Sequence, residues 1–300
     1  MVYAFAVAAA MVSATAGVTQ RLGLESVPAE STMRIGLLTH AMRHSVWLLG
    51  FALLLGQFVL QAMALRFGQL SVVQPLLTLD LLFVVTILAT VFHRRLRWRE
   101  WAGAGAIVAG LAGFLLLASP STGRGLPSGD AWAEVSSSAV VVAAVMVVAT
   151  RWGPRWWKAA AFGAAAAILF AYNAALTKAT TTLITRGWGH VFANWEPYAI
   201  ALTGLAGFFL LQNALHAGPI ASSRASMVVL NPIVSILIGA TVFSEHLRDG
   251  GWYVTAEVVA LTILCAGAFL LTQSPLVSAA TIDGEHSERL GVPSPYRPQA

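Results

Sequence analysis

Charge is the scarcest property of this chain. Of 300 residues, Lys and Arg number 18 and Asp and Glu 13, about 10% charged, while 57% are hydrophobic. An ordinary soluble domain is roughly 25% charged. So few charges cannot clothe a chain of this length in a polar shell, which excludes a soluble enzyme and, with so many apolar residues, a disordered protein. Cysteine is nearly absent: Cys265 stands alone within an apolar run, so no disulfide forms and its expected role is that of a small packing residue. There is no Walker motif, no Gly-x-Ser-x-Gly, no His-Glu-x-x-His and no paired acid cluster, which argues against a primary pump and a membrane hydrolase. No cofactor is implied.

What is present is long apolar runs. A bilayer core of about 30 Å needs roughly 20 helical residues. Nine such runs are predicted: Val2 to Val18, Val46 to Leu65, Leu70 to Phe92, Trp101 to Ala118, Val135 to Thr150, Ala159 to Lys178, Tyr198 to His216, Ile220 to Phe243 and Trp252 to Thr272. The first lacks the basic stretch that precedes a signal peptide's apolar core, so it is read as a retained helix. The runs are too long, and alternate too little, for a transmembrane barrel. The expected fold is an all-α polytopic helical bundle. All 10 tryptophans fall at or just beyond predicted ends, where indole rings anchor at the interface. The segment Arg151 to Lys158 carries Trp152, Trp156 and Trp157 between two spans, which reads as a membrane anchor and not a nucleic-acid patch.

Basic residues predict the orientation. One face receives Arg21, Arg34, Arg43, Arg94, Arg95, Arg97, Arg99, Arg151, Arg155, Lys158, Arg289 and Arg297, the other only Arg66, Arg124, Arg186 and Arg248. Basic loops stay cytoplasmic, which puts the N-terminus outside and the C-terminus inside, in the inner (plasma) membrane. The net charge of +5 is thus a topology signal.

The chain also repeats itself. Ala89-Thr-Val-Phe-x-x-x-Leu-Arg-x-x-x-Trp101 recurs as Ala240-Thr-Val-Phe-x-x-x-Leu-Arg-x-x-x-Trp252. Ala64-Leu-x-x-Gly68 recurs as Ala214-Leu-x-x-Gly218, and Phe114-Leu-Leu-x-x-Ser-Pro120 as Phe269-Leu-Leu-x-x-Ser-Pro275. Spans two to four therefore match spans seven to nine, and span one matches span six through Val18-Thr-Gln20 and Leu176-Thr-Lys178. The predicted organisation is a first repeat over 1–120, then an external linker, linking helix and cytoplasmic anchor loop over 121–158. A second repeat over 159–275 and a disordered tail over 276–300 complete it. The unpaired fifth span inverts one copy relative to the other, an arrangement typical of secondary transporters with a midplane site.

Polar residues inside the spans are the candidate site. Asp80 lies eleven residues into span three, and an ionisable group at that depth is a functional candidate. The repeat maps it onto Asn231, followed by Pro232; Pro75 follows Gln74 nearer the outer end of span three. Mid-span prolines free carbonyls and bend helices. Against a ligand or proton role for Asp80 stands a polar clamp between helices. Lys178 and Glu257 lie towards the outside and are expected to pair or, for Lys178, to snorkel. Asn173, Gln57, Gln61, Gln212 and Asn213 are further cavity candidates, with helix-to-helix hydrogen bonding as the plainer role. His40 and His44 share one helical face without a third ligand; the metal set is unknown. Arg224 opens span eight towards solute or lipid phosphate. Ala102, Ala106, Gly110, Ala109 and Gly113 in span four are read as close packing.

The stretches Trp47-Leu-Leu-Gly-Phe51, Gln61-Ala-Met-Ala-Leu-Arg-Phe-Gly68 and Val72-Val-Gln-Pro-Leu76 resemble the drug/metabolite transporter superfamily, with the nine-span layout of its NIPA-type magnesium branch. The second copy, through Val229-Leu-Asn-Pro-Ile233 to Phe243-Ser-Glu-His-Leu247, is similar to an EamA domain, whose Gly-Glu or similar pair before the last helix is matched by Ser244-Glu245. The first copy departs, with His93-Arg-Arg95 at that place. The resemblance implies a central cavity and alternating access without naming a solute. The leading expectation is a secondary transporter moving a small solute, with Asp80 as a candidate proton carrier. The alternatives are a magnesium or divalent-cation transporter and, in another class, a non-transporting structural or assembly protein. Expected partners are a small-molecule or ion substrate and the lipid bilayer, with a homodimer left open and nucleic acid excluded.

Overall fold

The computed structural model describes residues 1–25, 45–118, 126–245 and 251–274, and all of their regular structure is helical. The helices are α1 (Val2–Glu25), α2 (Ser45–Phe67), α3 (Leu70–Leu77), α4 (Asp80–Thr90), α5 (Trp98–Ala118), α6 (Gly129–Ala149), α7 (Arg155–Arg186), α8 (Trp188–Ala193), α9 (Glu196–Ala217), α10 (Ile220–Val242) and α11 (Gly251–Thr272). Among the described residues nine spans are long and apolar enough to cross a membrane, with α3 and α4 forming one of them. Helices are the expected answer because a backbone crossing hydrocarbon must satisfy its N–H and C=O groups within itself. The expected loop pair His40 and His44, and the expected disordered tail, lie outside the described residues.

Three local features depart from expectation. The fifth span begins at Gly129, capped by the Ser128 hydroxyl accepting from the Ala131 N–H at 3.3 Å. The sixth runs from Arg155 to Arg186, 32 residues, and is the most enclosed of the nine. Span three is broken, but after Pro75 and not at it. Thr78 and Leu79 donate to Pro75 O and Leu76 O at 3.2 and 3.1 Å, a tightened turn from which α4 restarts at Asp80. Span eight, by contrast, runs unbroken through Pro232.

The packing of one half follows that of the other. α1 lies against α2 and against α3 and α4; α7 lies against α9 and α10; α5 pairs with α11, and α3 crosses α10. The repeated Ala-Thr-Val-Phe segments end in the same turn. His93 and Ser244 both take φ 51°, and the N–H groups of Arg94 and Glu245 return to Leu88 O and Gly239 O, each at 3.0 Å. The repeated Gly68 and Gly218 are likewise matched: a side chain at Gly68 would strike Val2 at the start of α1, and one at Gly218 the Arg155 carbonyl at the start of α7. At the α5–α11 crossing, a Cβ on Gly110 would lie 2.7 Å from Ala260 O, and one on Gly267 2.7 Å from Gly103 O and Ile107 N. The small residues of span four do serve close packing there.

Candidate functional site

The site starts from a helix end. The first N–H groups of any helix lack intrahelical partners. α3 begins after Gln69, whose side chain makes no cap hydrogen bond. Its first two N–H groups are instead held by a residue distant in sequence: Leu70 N–H donates to Glu245 Oε1 at 2.8 Å and Ser71 N–H to Glu245 Oε2 at 3.0 Å. The Lys178 ammonium, from α7, donates to the same Oε1. The Glu245 side chain is fully buried and that of Lys178 is 10% exposed. Two features make room for this. The left-handed turn at Ser244 directs Glu245 back over α3, and Gly239 leaves bare backbone where any Cβ would collide with Glu245 Oε2. Lys178 Nζ also lies 4.5 Å from the Phe243 ring centroid. The result ties α7 and the α10 terminus to the start of α3.

A polar seam continues from this pair along the α3–α10 crossing. Ser71 and Gln74 lie one turn apart on α3; Asn231, Ser235 and Gly239 lie at successive turns of α10. Asn231 Nδ2 donates to Gln74 Oε1 at 3.3 Å. Ser71 Oγ, Gln74 Nε2, Asn231 Oδ1 and Ser235 Oγ are buried with no hydrogen-bond partner among the described residues. Each such atom is costly in an apolar surrounding, so four in one seam mark a place suited to water or a polar ligand.

Asp80 stands at the midpoint of the 21-residue span Leu70–Thr90, at the first turn of α4. It interacts electrostatically with Arg224, on the face of α10 that also carries Asn231 two turns away. Asn231, its repeat counterpart, bonds Gln74 and not Asp80. The expected Lys178–Glu257 pair is not formed: Lys178 takes Glu245, and Glu257 Oε1 on α11 is buried without a partner among the described residues. Asn173 does join helices, its Nδ2 donating to Ile200 O at 2.7 Å and Thr203 Oγ1 at 2.8 Å. Gln57 donates to Gln61 within α2 at 2.9 Å, and Asn213 to Phe209 O within α9 at 2.8 Å, so these three do not join the seam. Among the described residues no three His, Cys, Asp or Glu side chains converge.

Sequence reasoning limited the charges at membrane depth to Asp80, Lys178 and Glu257. The fold also buries three carboxylates at helix ends and turns, Glu245, Glu196 and Glu100. Glu100 accepts from Arg97 N–H at 2.8 Å and from the Ser274 hydroxyl at 2.5 Å, closing the start of α5 against the end of α11. For Glu245 a signal existed in the Ser244-Glu245 pair before the last helix. Trp132 is corrected too. It is no interfacial anchor but is buried, edge-on to Tyr172, Trp195 and Phe243 at 6.1, 5.3 and 6.4 Å. It adds aromatic surface beside Phe243, the ring that the Lys178 ammonium approaches.

No family model matches this chain, and no solved structure matches it significantly. It is similar to an uncharacterized protein of Corynebacterium glutamicum, 29% identical over 280 residues, which span 92% of this chain and 96% of that relative.

Proposed function

We propose that the protein is a secondary transporter of drug/metabolite type, related to EamA domains, that moves a small solute across the inner membrane by alternating access. The Lys178–Glu245 contact with the α3 N-terminus carries this reading. It fastens the second half of the chain to the first at one end of the bundle, while the repeat-equivalent of Glu245 at the other end is Arg94. Two repeats joined by a charge contact across their interface are suited to alternating access, in which such a contact forms and breaks. The matched turns at His93 and Ser244 support an inverted pair of repeats about the α3–α10 crossing. In this reading Asp80 and Asn231 occupy the middle of the pathway, with Asp80 holding a proton or a polar group of the solute. The asymmetry of basic residues supports an N-terminus outside and a C-terminus in the cytoplasm.

Counterflow in proteoliposomes tests this. Vesicles preloaded with a panel of unlabelled metabolites are diluted into labelled ones, and a carrier accumulates label transiently. Asp80→Asn is expected to cut the initial rate of the responding solute by tenfold or more. Wild-type protein showing no counterflow across the panel would count against a carrier, and an unchanged rate in Asp80→Asn would remove Asp80 from the pathway.

A further inference from the structure

The seat that holds Glu245 has the chemistry of an oxyanion site. A lysine ammonium and two consecutive helix-terminal N–H groups converge on one carboxylate. Ser71, which supplies one of those N–H groups, is 1% exposed and carries a hydroxyl with no partner among the described residues. Charge-assisted donors at a helix N-terminus recognise carboxylates and phosphates alike. We propose that this seat binds an oxyanion of the transported solute, a carboxylate or a phosphate, and that the Glu245 carboxylate is its tethered stand-in. This rests on the carrier reading and deepens it.

Three observations support exchange over a purely structural cap. First, charge balance requires an occupant. A buried ammonium left alone costs several kcal/mol, so an empty carrier needs an internal anion on Lys178, and a solute anion replaces it charge for charge. Second, the carboxylate rests against bare glycine. The counterpart of Gly239 in the first half is Leu88, which is fully buried, so where the first half carries an isobutyl group the second half carries none and seats the Glu245 carboxylate instead. Departure of Glu245 leaves room beside Gly239 for an oxyanion head of similar size. Third, the wall beyond Lys178 is aromatic. Phe243 lies under the ammonium, and Trp132 stands edge-on to it, which suits the carbon frame of an organic anion.

The test uses full-length protein in detergent, with thermal midpoints read at constant ionic strength and pH. Chloride is replaced stepwise by acetate in one series and by inorganic phosphate in another. Wild type is expected to show a saturable rise with at least one anion, since a ligand of the folded state stabilises by mass action. Glu245→Ala and Glu245→Gln, which remove the tethered charge, are expected to reach half-saturation at a concentration at least tenfold lower. Lys178→Met is expected to lose the response. Acetate alone acting assigns a carboxylate, phosphate alone a phosphoryl group. A flat wild type beside a rescued Glu245→Ala would make Glu245 a helix cap and overturn the proposal, as would a response that survives in Lys178→Met. The two readings fail separately: saturable anion binding without counterflow of any solute removes the carrier and leaves the seat, while counterflow of a solute lacking an oxyanion removes the seat and leaves the carrier.

Discussion

Lys178→Met isolates the energetics of the ion pair. Methionine keeps most of the stem and packs readily, so the change removes the ammonium and little else. Glu245 then stays buried with two backbone donors and no counter-charge. Breaking a buried pair from one side costs about 3–5 kcal/mol, and with one side chain fully buried and the other 10% exposed there is little solvent to soften it. Domains of 150–250 residues shift by roughly 2–4 °C per kcal/mol, so a midpoint on the order of 10 °C below wild type is expected for this larger chain. The double variant Lys178→Met/Glu245→Gln has no buried charge left and retains an amide oxygen for one N–H of α3. It is expected to be more stable than Lys178→Met alone, with a coupling of about 2 kcal/mol or more. Thermal unfolding of the four proteins in one detergent measures the cycle. Raising salt should leave it nearly unchanged, because a buried pair is weakly screened. A Lys178→Met midpoint within 2 °C of wild type, or strictly additive single effects, would refute the reasoning.

Other outcomes are expected elsewhere in the bundle. Gly267→Ala places a methyl 2.7 Å from Gly103 O and Ile107 N and should cost about 1–3 kcal/mol, whereas Gly105→Ala, with nothing within 4 Å, should leave the midpoint unchanged or raise it slightly. Asn173→Leu gives up its bonds to Ile200 and Thr203, a loss of about 1 kcal/mol, and should leave counterflow intact, since Asn173 joins α7 to α9 and is not part of the seam. In a Cys265→Ser background, a membrane-impermeant thiol reagent on intact cells should label Arg186→Cys and spare Arg95→Cys; the reverse pattern would invert the orientation.

Much of the fold was legible in the chain because a bilayer imposes a one-dimensional rule: runs of about 20 apolar residues must cross it. That rule located nine spans, and the repeated Ala-Thr-Val-Phe segments prove to lead into two turns of equal geometry at His93 and Ser244. It failed where local sequence and local structure diverge. Pro75 suggested the position of a break that falls at Thr78–Leu79, where the N–H groups turn back to the Pro75 and Leu76 carbonyls three residues before them. Trp132 looked interfacial because it sits near a predicted end, yet α6 starts earlier and its first turn packs against α7.

The candidate site divides along the same line. By itself the sequence determined that the chain is membrane-embedded, which residues are polar within its spans, and that its halves correspond. These follow from composition and spacing, which travel along the chain. Only the tertiary structure decided which polar groups meet. Lys178 chose Glu245 over Glu257, and a carboxylate assigned to a loop became the cap of a helix that precedes it by some 175 residues. Such partners are set by how α3, α7 and α10 cross, through the bare backbone of Gly239 and the turn at Ser244, and hydropathy carries no record of a crossing.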